Sequence, residues 1–492
     1  MPKLINPITE VSPLLQHDTA IPIRRFVYVY SIIAAGGGLI CGYDTGSISS
    51  VITLPIFQDK FFIHGSLAYY QSILLASYLV TSMCGAFFSG FCCDSIGRKK
   101  SMLLASCSLI MGISYELLGL NIQTLLLGRL IGGLGTGLMT NVIPLYQTEI
   151  APPDIRGRLI SIFSLLGAFG QMVGYFVTSK SSHLTTHWSW RMPWLIQLTI
   201  CIGFAVAVCF LPYSPRWLID KGRNLEGLAV LSKLHNLPQE HEVVQRDYLD
   251  IKTLIEAEKL SGRDRTYAEL FQGLNLKRTL HAFFISIATC FTGNVVISYY
   301  SPQIFKNAGL SDVSISLALT GGVGLLSLIF TALSLQWWID IWGRKVLFFT
   351  GSAVSSVCMF TVGLIFHFYA SIAPDNSIVV VANPYARYVI ILCIYTLSAS
   401  FAGTWGVSTY VYTAEIFSMR CRAKGLSLTY AISWAGSIVI TFCTPFLMAY
   451  SVSGVYFFFG ICSVMTFVGI VFIFETKGKT LEEIDLMFEN NK

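Results

Sequence analysis

Twelve apolar runs, each long enough to cross a lipid bilayer, divide this chain of 492 residues. They fall near 26–48, 67–91, 101–120, 123–146, 159–179, 193–213, 278–304, 313–338, 346–370, 386–413, 424–449 and 453–474. A hydrocarbon core about 30 Å thick takes roughly 20 apolar residues in helical form. It offers no water to a bare backbone, so each run is expected to be a helix. Composition agrees: 54% of residues are hydrophobic and 12% charged, where soluble domains carry roughly 25% charge. The expected fold class is an all-α polytopic membrane protein, with helix-on-helix contacts inside and lipid outside.

Charge placement orients the chain. With the N-terminus in the cytosol, the inner segments hold Arg24, Arg25, Arg98, Lys99, Lys100, Arg156, Arg158, Arg344, Lys345, Arg420, Arg422 and Lys424. The outer loops hold only Lys60, Lys180, Arg191, Lys306 and Arg387. By the positive-inside rule, both termini are expected in the cytoplasm. No short apolar stretch with a cleavage site opens the chain, so no signal peptide is expected. Most of the thirteen cysteines lie inside the runs, which suits packing rather than disulfides. There is no phosphate loop, no metal-ligand cluster and no nucleophile with its base. An enzyme, a cofactor and a nucleic-acid partner are therefore not expected.

The first run carries one ionised side chain, Asp44, near its outer end. A carboxylate at mid-bilayer costs at least ~2.5–3.5 kcal/mol unless it has a partner or a wet cavity. Gly36, Gly37 and Gly38 permit close backbone packing, and Gly42 and Gly46 bracket the acid. The other helices are expected to form a cavity around it.

The chain also repeats itself. Asp94-Ser95-Ile96-Gly97-Arg98-Lys99 follows the second run, and Asp340-Ile341-Trp342-Gly343-Arg344-Lys345 follows the eighth. Glu149, with Arg156 seven later, follows the fourth; Glu415, with Arg422 seven later, follows the tenth. Matching signatures at matching places indicate six spans plus six related about the membrane normal. The expected division is a leader at 1–25, a six-helix bundle at 26–213, a linker at 214–277, a second six-helix bundle at 278–474 and a tail at 475–492. These inner motifs read as a cytoplasmic gate of ion pairs that hold one face shut. Arg216, in Pro215-Arg216-Trp217-Leu218, and Glu475, in Glu475-Thr476-Lys477-Gly478, belong to the same face. The linker is too polar for lipid and reads as short amphipathic helices. In the leader, Glu10 precedes the pair Leu14-Leu15 by four positions, the pattern of an acidic dileucine signal read by a sorting adaptor.

Together these residues resemble the sugar porter family of the major facilitator superfamily. The matches are Gly42-Tyr43-Asp44-Thr45-Gly46, Asp94 to Lys99, Gly128-Arg129-Leu130-Ile131-Gly132, Pro144-Leu145-Tyr146 with Glu149 and Arg156-Gly157, and Pro215 to Leu218. They continue with Tyr299-Tyr300-Ser301-Pro302-Gln303-Ile304-Phe305, Asp340 to Lys345, Glu415 with Arg422, and Glu475 to Gly478. The resemblance implies two bundles rocking about a central site. Family proton symporters carry Asp in the first-helix motif, where many passive members carry Asn, so Asp44 implies proton coupling, with Arg129 as its partner. One proton crossing roughly 150 mV gains ~3.5 kcal/mol at about 2.3 kcal/mol per 100 mV. At ~1.4 kcal/mol per decade that supports about three-hundredfold accumulation. A permanent structural Asp44–Arg129 pair is the alternative.

The substrate site departs from the family. Where hexose and pentose porters have Gln-Gln-x-x-Gly-x-Asn, this chain has Thr289-Cys290-Phe291-Thr292-Gly293-Asn294. Ser164 replaces a fifth-span glutamine, and Ser433 an amide before Trp434. The residues left to bind substrate are Gln171, Asn294, Tyr299, Tyr300, Trp405, Tyr410 and Trp434. Each unmatched hydroxyl of a buried sugar forfeits ~1 kcal/mol or more, so the thinner lining fits a small polyol, a modified sugar or another solute. The expected function is a secondary active transporter, a proton symporter of a sugar or polyol. A passive facilitator and a non-transporting nutrient receptor are the alternatives. A monomer in the plasma membrane or the vacuolar or lysosomal membrane is expected.

Overall fold

The structure, a computed structural model, describes residues 25–62, 67–152, 155–260, 266–310, 312–372, 379–381, 383–418, 420–479 and 487–488. Glu10, Leu14, Leu15 and the side chain of Asp340 lie outside the described residues. Twelve helical segments have the length and hydropathy to cross a membrane. The first six are Arg25–Val51, Leu67–Ile96, Arg98–Leu118, Ile122–Ile150, Arg156–Ser181 and Trp188–Cys209. The second six are Gly273–Asn307, Ser314–Trp338, Arg344–Tyr369, Pro384–Ile416, Arg422–Tyr450 and Val452–Phe472. They are called here the first to twelfth spans. Each expected run has its helix.

Local chemistry cuts the runs into helices. Asn121, Asp312, Asn383 and Ser451 accept a hydrogen bond from the first-turn backbone of the helix each precedes, satisfying donors that lipid and protein would otherwise strand. The turns before the third and ninth spans are made by Gly97 (φ 87°, ψ 161°) and Gly343 (φ 83°, ψ 165°). That region of backbone space is essentially closed to any residue with a Cβ. Both repeats therefore keep glycine before Arg-Lys for a steric reason.

The pairing of spans shows the repeat in space. The first packs along the fifth, the second and third on the fourth, and the third on the sixth. In the second half the seventh packs along the eleventh, the eighth and ninth on the tenth, and the ninth on the twelfth. Between the halves, the second meets the eleventh and the fifth meets the eighth. Every pairing has its counterpart six spans later.

Two spans differ from the continuous helices expected. The seventh breaks after Phe291 and resumes at Asn294, with Gly293 at φ 88°. The tenth breaks between Gly403 and Trp405. Non-helical backbone at membrane depth persists only where it faces protein or a cavity. Between the halves, Pro215–Asp220, Asn224–His235 and Glu242–Leu260 are helical, and Ile219, Leu231, Val244 and Ile255 close a small apolar core. The exception to the all-helical expectation is a two-stranded antiparallel ribbon, Ala370–Ile372 with Val379–Val381.

Gly97→Ala and Gly343→Ala should each destabilise the protein by roughly 1–3 kcal/mol, because a Cβ there also lies 2.8 Å from Trp217 and 2.7 Å from Glu475 respectively. Gly203→Ala, at a helical position with nothing within 4 Å, is the control. Thermal unfolding in detergent should separate the two turn variants from this control.

Candidate functional site

The first span reaches the fifth through its glycines. A Cβ on Gly42 would lie 1.9 Å from the Gly167 carbonyl oxygen, and one on Gly46 would lie 2.2 Å from that of Gln171. Backbone therefore touches backbone on both sides of Asp44, leaving no room for side chains on that face. The Asp44 carboxylate points the other way, into the first half. Arg129 of the fourth span donates to it through Nη1, at 2.9 Å to Oδ1 and 3.1 Å to Oδ2. Gln197 Nε2 of the sixth span adds a bond of 3.2 Å to Oδ1. The guanidinium lies 3.9 Å from the centre of the Tyr78 ring, a cation–π contact, and Tyr78 hydrogen-bonds the Thr136 hydroxyl. Asp44 and Arg129 are 3% and 1% exposed.

A second acid joins them. Glu116 of the third span holds Oε1 3.6 Å from the same Arg129 Nη1, and both side chains are 1% exposed. Gly128 makes this approach feasible, since a Cβ there would sit 2.8 Å from Glu116 Cγ. Glu116 and Gln197 were not singled out from the sequence. Glu116 is legible there by the same reasoning as Asp44, as an acid inside an apolar run; nothing marks Gln197.

A cavity of about 290 Å³ lies between the halves. Of the expected substrate residues, Gln171, Asn294, Trp405, Tyr410 and Trp434 line it. Tyr299 and Tyr300 do not: they line a separate recess with Gln71 and Gln303, and Tyr300 donates to the Thr441 carbonyl at 2.7 Å. Asn294 and Ser298, one helical turn apart, face the cavity, and the two positions after Ser298 fall on another face of the helix. The cavity is also not built around Asp44. Cys41, Gly42 and Thr45 form its wall, while the carboxylate is turned toward Arg129.

Hydroxyls stand where amides were missed. Thr289 pairs with Thr409 at 3.1 Å, Ser164 donates to the Gly406 carbonyl at 3.1 Å across the two halves, and Cys290 is withdrawn toward the Ser433 carbonyl at 3.2 Å. Gln171 donates to Tyr175 at 2.8 Å, and Tyr175 to the Ser298 carbonyl of the broken seventh span at 2.8 Å. Trp405 is fully buried against Phe348, so its indole is mainly packing. Tyr410 meets Phe163 edge-on, and Trp434 reaches Thr140 at 3.5 Å. Among the described lining residues none is Lys, Arg, His, Asp or Glu.

The arginine-rich end holds the repeated motifs. Arg98 binds Glu149 at 2.6 Å and Arg344 binds Glu415 at 2.8 Å. Each pair lies inside its own half and joins neighbouring helix ends. Asp94 is 4.0 Å from Arg98. Glu475 accepts from the backbone N–H groups of Arg344 and Lys345 at 3.1 and 2.8 Å, an anion at a helix N-terminus. Its neighbour Thr476 donates to Glu415. Arg422 lies within electrostatic reach of Glu415 in its own half and of Glu149, Arg156 and Arg216 beyond it.

Residues 30–488 match the family described as "Sugar (and other) transporter". The chain is 31% identical to the major facilitator-type transporter ecdD of Aspergillus rugulosus, over 92% of this chain and 86% of that protein. It is 28% identical to a quinate permease of Neurospora terricola, over 94% and 89%. Among solved structures it resembles the proton:xylose symporter XylE bound to 6-bromo-6-deoxy-D-glucose, with a TM-score of 0.80 and 25% identity over 94% of this chain and 99% of that one.

Replacing Arg129 with Met should strand two buried acids and lower stability by about 3–5 kcal/mol. Asp44→Asn, which leaves Arg129 beside Glu116, should cost visibly less. Thermal unfolding of purified protein in detergent tests the order.

Proposed function

We propose a function on one premise: the chain belongs to the sugar (and other) transporter family. It moves a small, uncharged, hydroxylated solute, a sugar or polyol, by alternating access, and couples that movement to protons through Asp44 and Arg129. The observation that carries this reading is a cavity without charged lining residues beside a buried ion pair.

The coupling is mechanical. Protonating Asp44 weakens its hold on Arg129 and Gln197, so the turn between Gly42 and Gly46 is released from the first half's interior. That turn lies against the backbone of Gly167 and Gln171, and Gln171 leads through Tyr175 to the seventh span at Ser298. A change at the acid thus reaches the cavity wall through van der Waals contact and two hydrogen bonds. In this reading the arginine-rich end faces the cytosol. Arg98–Glu149 and Arg344–Glu415 stiffen each half, while Arg422 attracts Glu149 and Arg156 attracts Glu415 across the gap, and these separate when that face opens. Both termini are then cytoplasmic.

The likeness to quinate permeases favours a second reading, a hydroxylated carboxylate. A buried carboxylate without a cation is costly, so such a solute would enter protonated or be rejected. For location, Leu14→Ala with Leu15→Ala should move a tagged protein from an internal membrane to the cell surface; fluorescence microscopy reads this, and no redistribution removes the sorting signal.

Uptake by proteoliposomes tests the function, with radiolabelled hexoses, pentoses, inositol, glycerol and quinate supplied with and without an inward proton gradient. The expected result is gradient-driven accumulation of a neutral solute. Asp44→Asn should abolish accumulation while sparing solute counterflow, and Gln171→Ala should raise KM at least about tenfold, the loss of a buried hydrogen bond worth ~1.4 kcal/mol. Gradient-independent equilibration would make the chain a facilitator. Absence of uptake and counterflow by folded protein over the whole panel would favour the receptor reading.

A further inference from the structure

We propose that Glu116 is a second proton-binding carboxylate, which with Asp44 holds one coupling proton around Arg129; this rests on the reading of Asp44 as the coupling acid.

One guanidinium nitrogen, Arg129 Nη1, faces both acids, at 2.9 Å from Asp44 and 3.6 Å from Glu116. With both acids ionised the cluster carries one net negative charge inside the bundle. One added proton makes it neutral, on whichever carboxylate it resides, and the other carboxylate remains beside Arg129. Without Glu116, protonating Asp44 would leave a buried guanidinium with no counter-charge. Glu116 therefore makes protonation of Asp44 affordable and gives Arg129 an anion to turn to when Asp44 releases it.

The surroundings agree. Glu116 Oε2 is buried with no hydrogen-bond partner among the described residues, a poor environment for an ionised oxygen and a tolerable one for a protonated carboxyl. The titratable and charged groups facing the cluster are few. Tyr78 comes from the second span, Cys41 and Cys201 from the first and sixth, and Tyr299 from the seventh. At the helix end beyond Glu116, Lys60 donates to the Gly119 carbonyl and Arg191 to that of Leu118. Those two cations are committed to backbone oxygens, so Arg129 is the cation that contacts Glu116.

The test needs no knowledge of the solute. Infrared titration of the carboxyl C=O stretch in proteoliposomes, with full-length protein, should show a buried carboxyl that deprotonates as pH rises. In Glu116→Gln that midpoint should move down by at least about one pH unit, a tenfold loss of proton affinity, and Glu116→Asp should largely restore it. Carbon-13 labelling of glutamate in the unsubstituted protein should shift part of the same band, so the outcome stands even where a variant fails to fold. An identical titration in Glu116→Gln, or a band untouched by glutamate labelling, overturns the proposal. If Asp44→Asn also leaves both the titration and gradient-driven uptake unchanged, the coupling role of Asp44 falls with it. If Asp44→Asn abolishes coupled uptake and Glu116→Gln changes nothing, only the role of Glu116 fails.

Discussion

A charge cannot rest alone inside a bilayer, and the first half of this molecule is arranged around that constraint. Asp44 needs Arg129, and Arg129 needs a path from the fourth span to the first. Both are 3% exposed or less, so neither draws on bulk water. Continuum reasoning makes such a pair weak as a source of stability, because desolvation consumes most of the attraction. Its value is as a switch: removing or neutralising one partner changes the energy of the other by far more than an exposed pair would allow. The glycine seam between the first and fifth spans follows from the same need. It leaves the acid's own turn in direct backbone contact with the helix that carries Gln171.

The two halves solve the opposite end by symmetry. Gly97 and Gly343 make the same sterically restricted turn, and the arginine that follows each binds a glutamate of its own half. A pair inside one rigid body survives when the bodies move. Between the halves the field is weaker, with Arg422 within electrostatic reach of Glu149 and Arg156 of Glu415. Glu475 adds a tether for the ninth span by sitting on its first two backbone N–H groups.

At the centre, exchanging amides for hydroxyls changes what the cavity can recognise. An amide presents a donor and an acceptor on a long arm, whereas a serine or threonine reaches less far and commonly returns to its own helix. Thr289 does this, donating to Ile285, and Ser164 uses its hydroxyl on Gly406. Fewer polar groups are left for a ligand. The breaks at Gly293 and Thr404 each start a new helix beside the cavity, at Asn294 and Trp405.

The sequence by itself determined the twelve spans, the six-plus-six repeat and the acid inside the first span, because lipid enforces helix wherever an apolar run is long enough and makes an interior charge conspicuous. It also determined that the usual amides are absent, since residue identity needs no coordinates. Tertiary structure decided what those residues touch. Glu116 lies 72 positions from Asp44 and Gln197 lies 153, and only the packing of the first, third, fourth and sixth spans brings Glu116 to Arg129 and Gln197 to Asp44. Tyr299 and Tyr300 directly follow the cavity residue Ser298 in sequence, yet helical phase turns them to another face. Which acid each motif arginine takes was likewise decided by the fold, which gives Arg98 to Glu149 and Arg344 to Glu415. Identity is a local property, legible residue by residue, whereas partnership depends on where a helix turns and which face it presents.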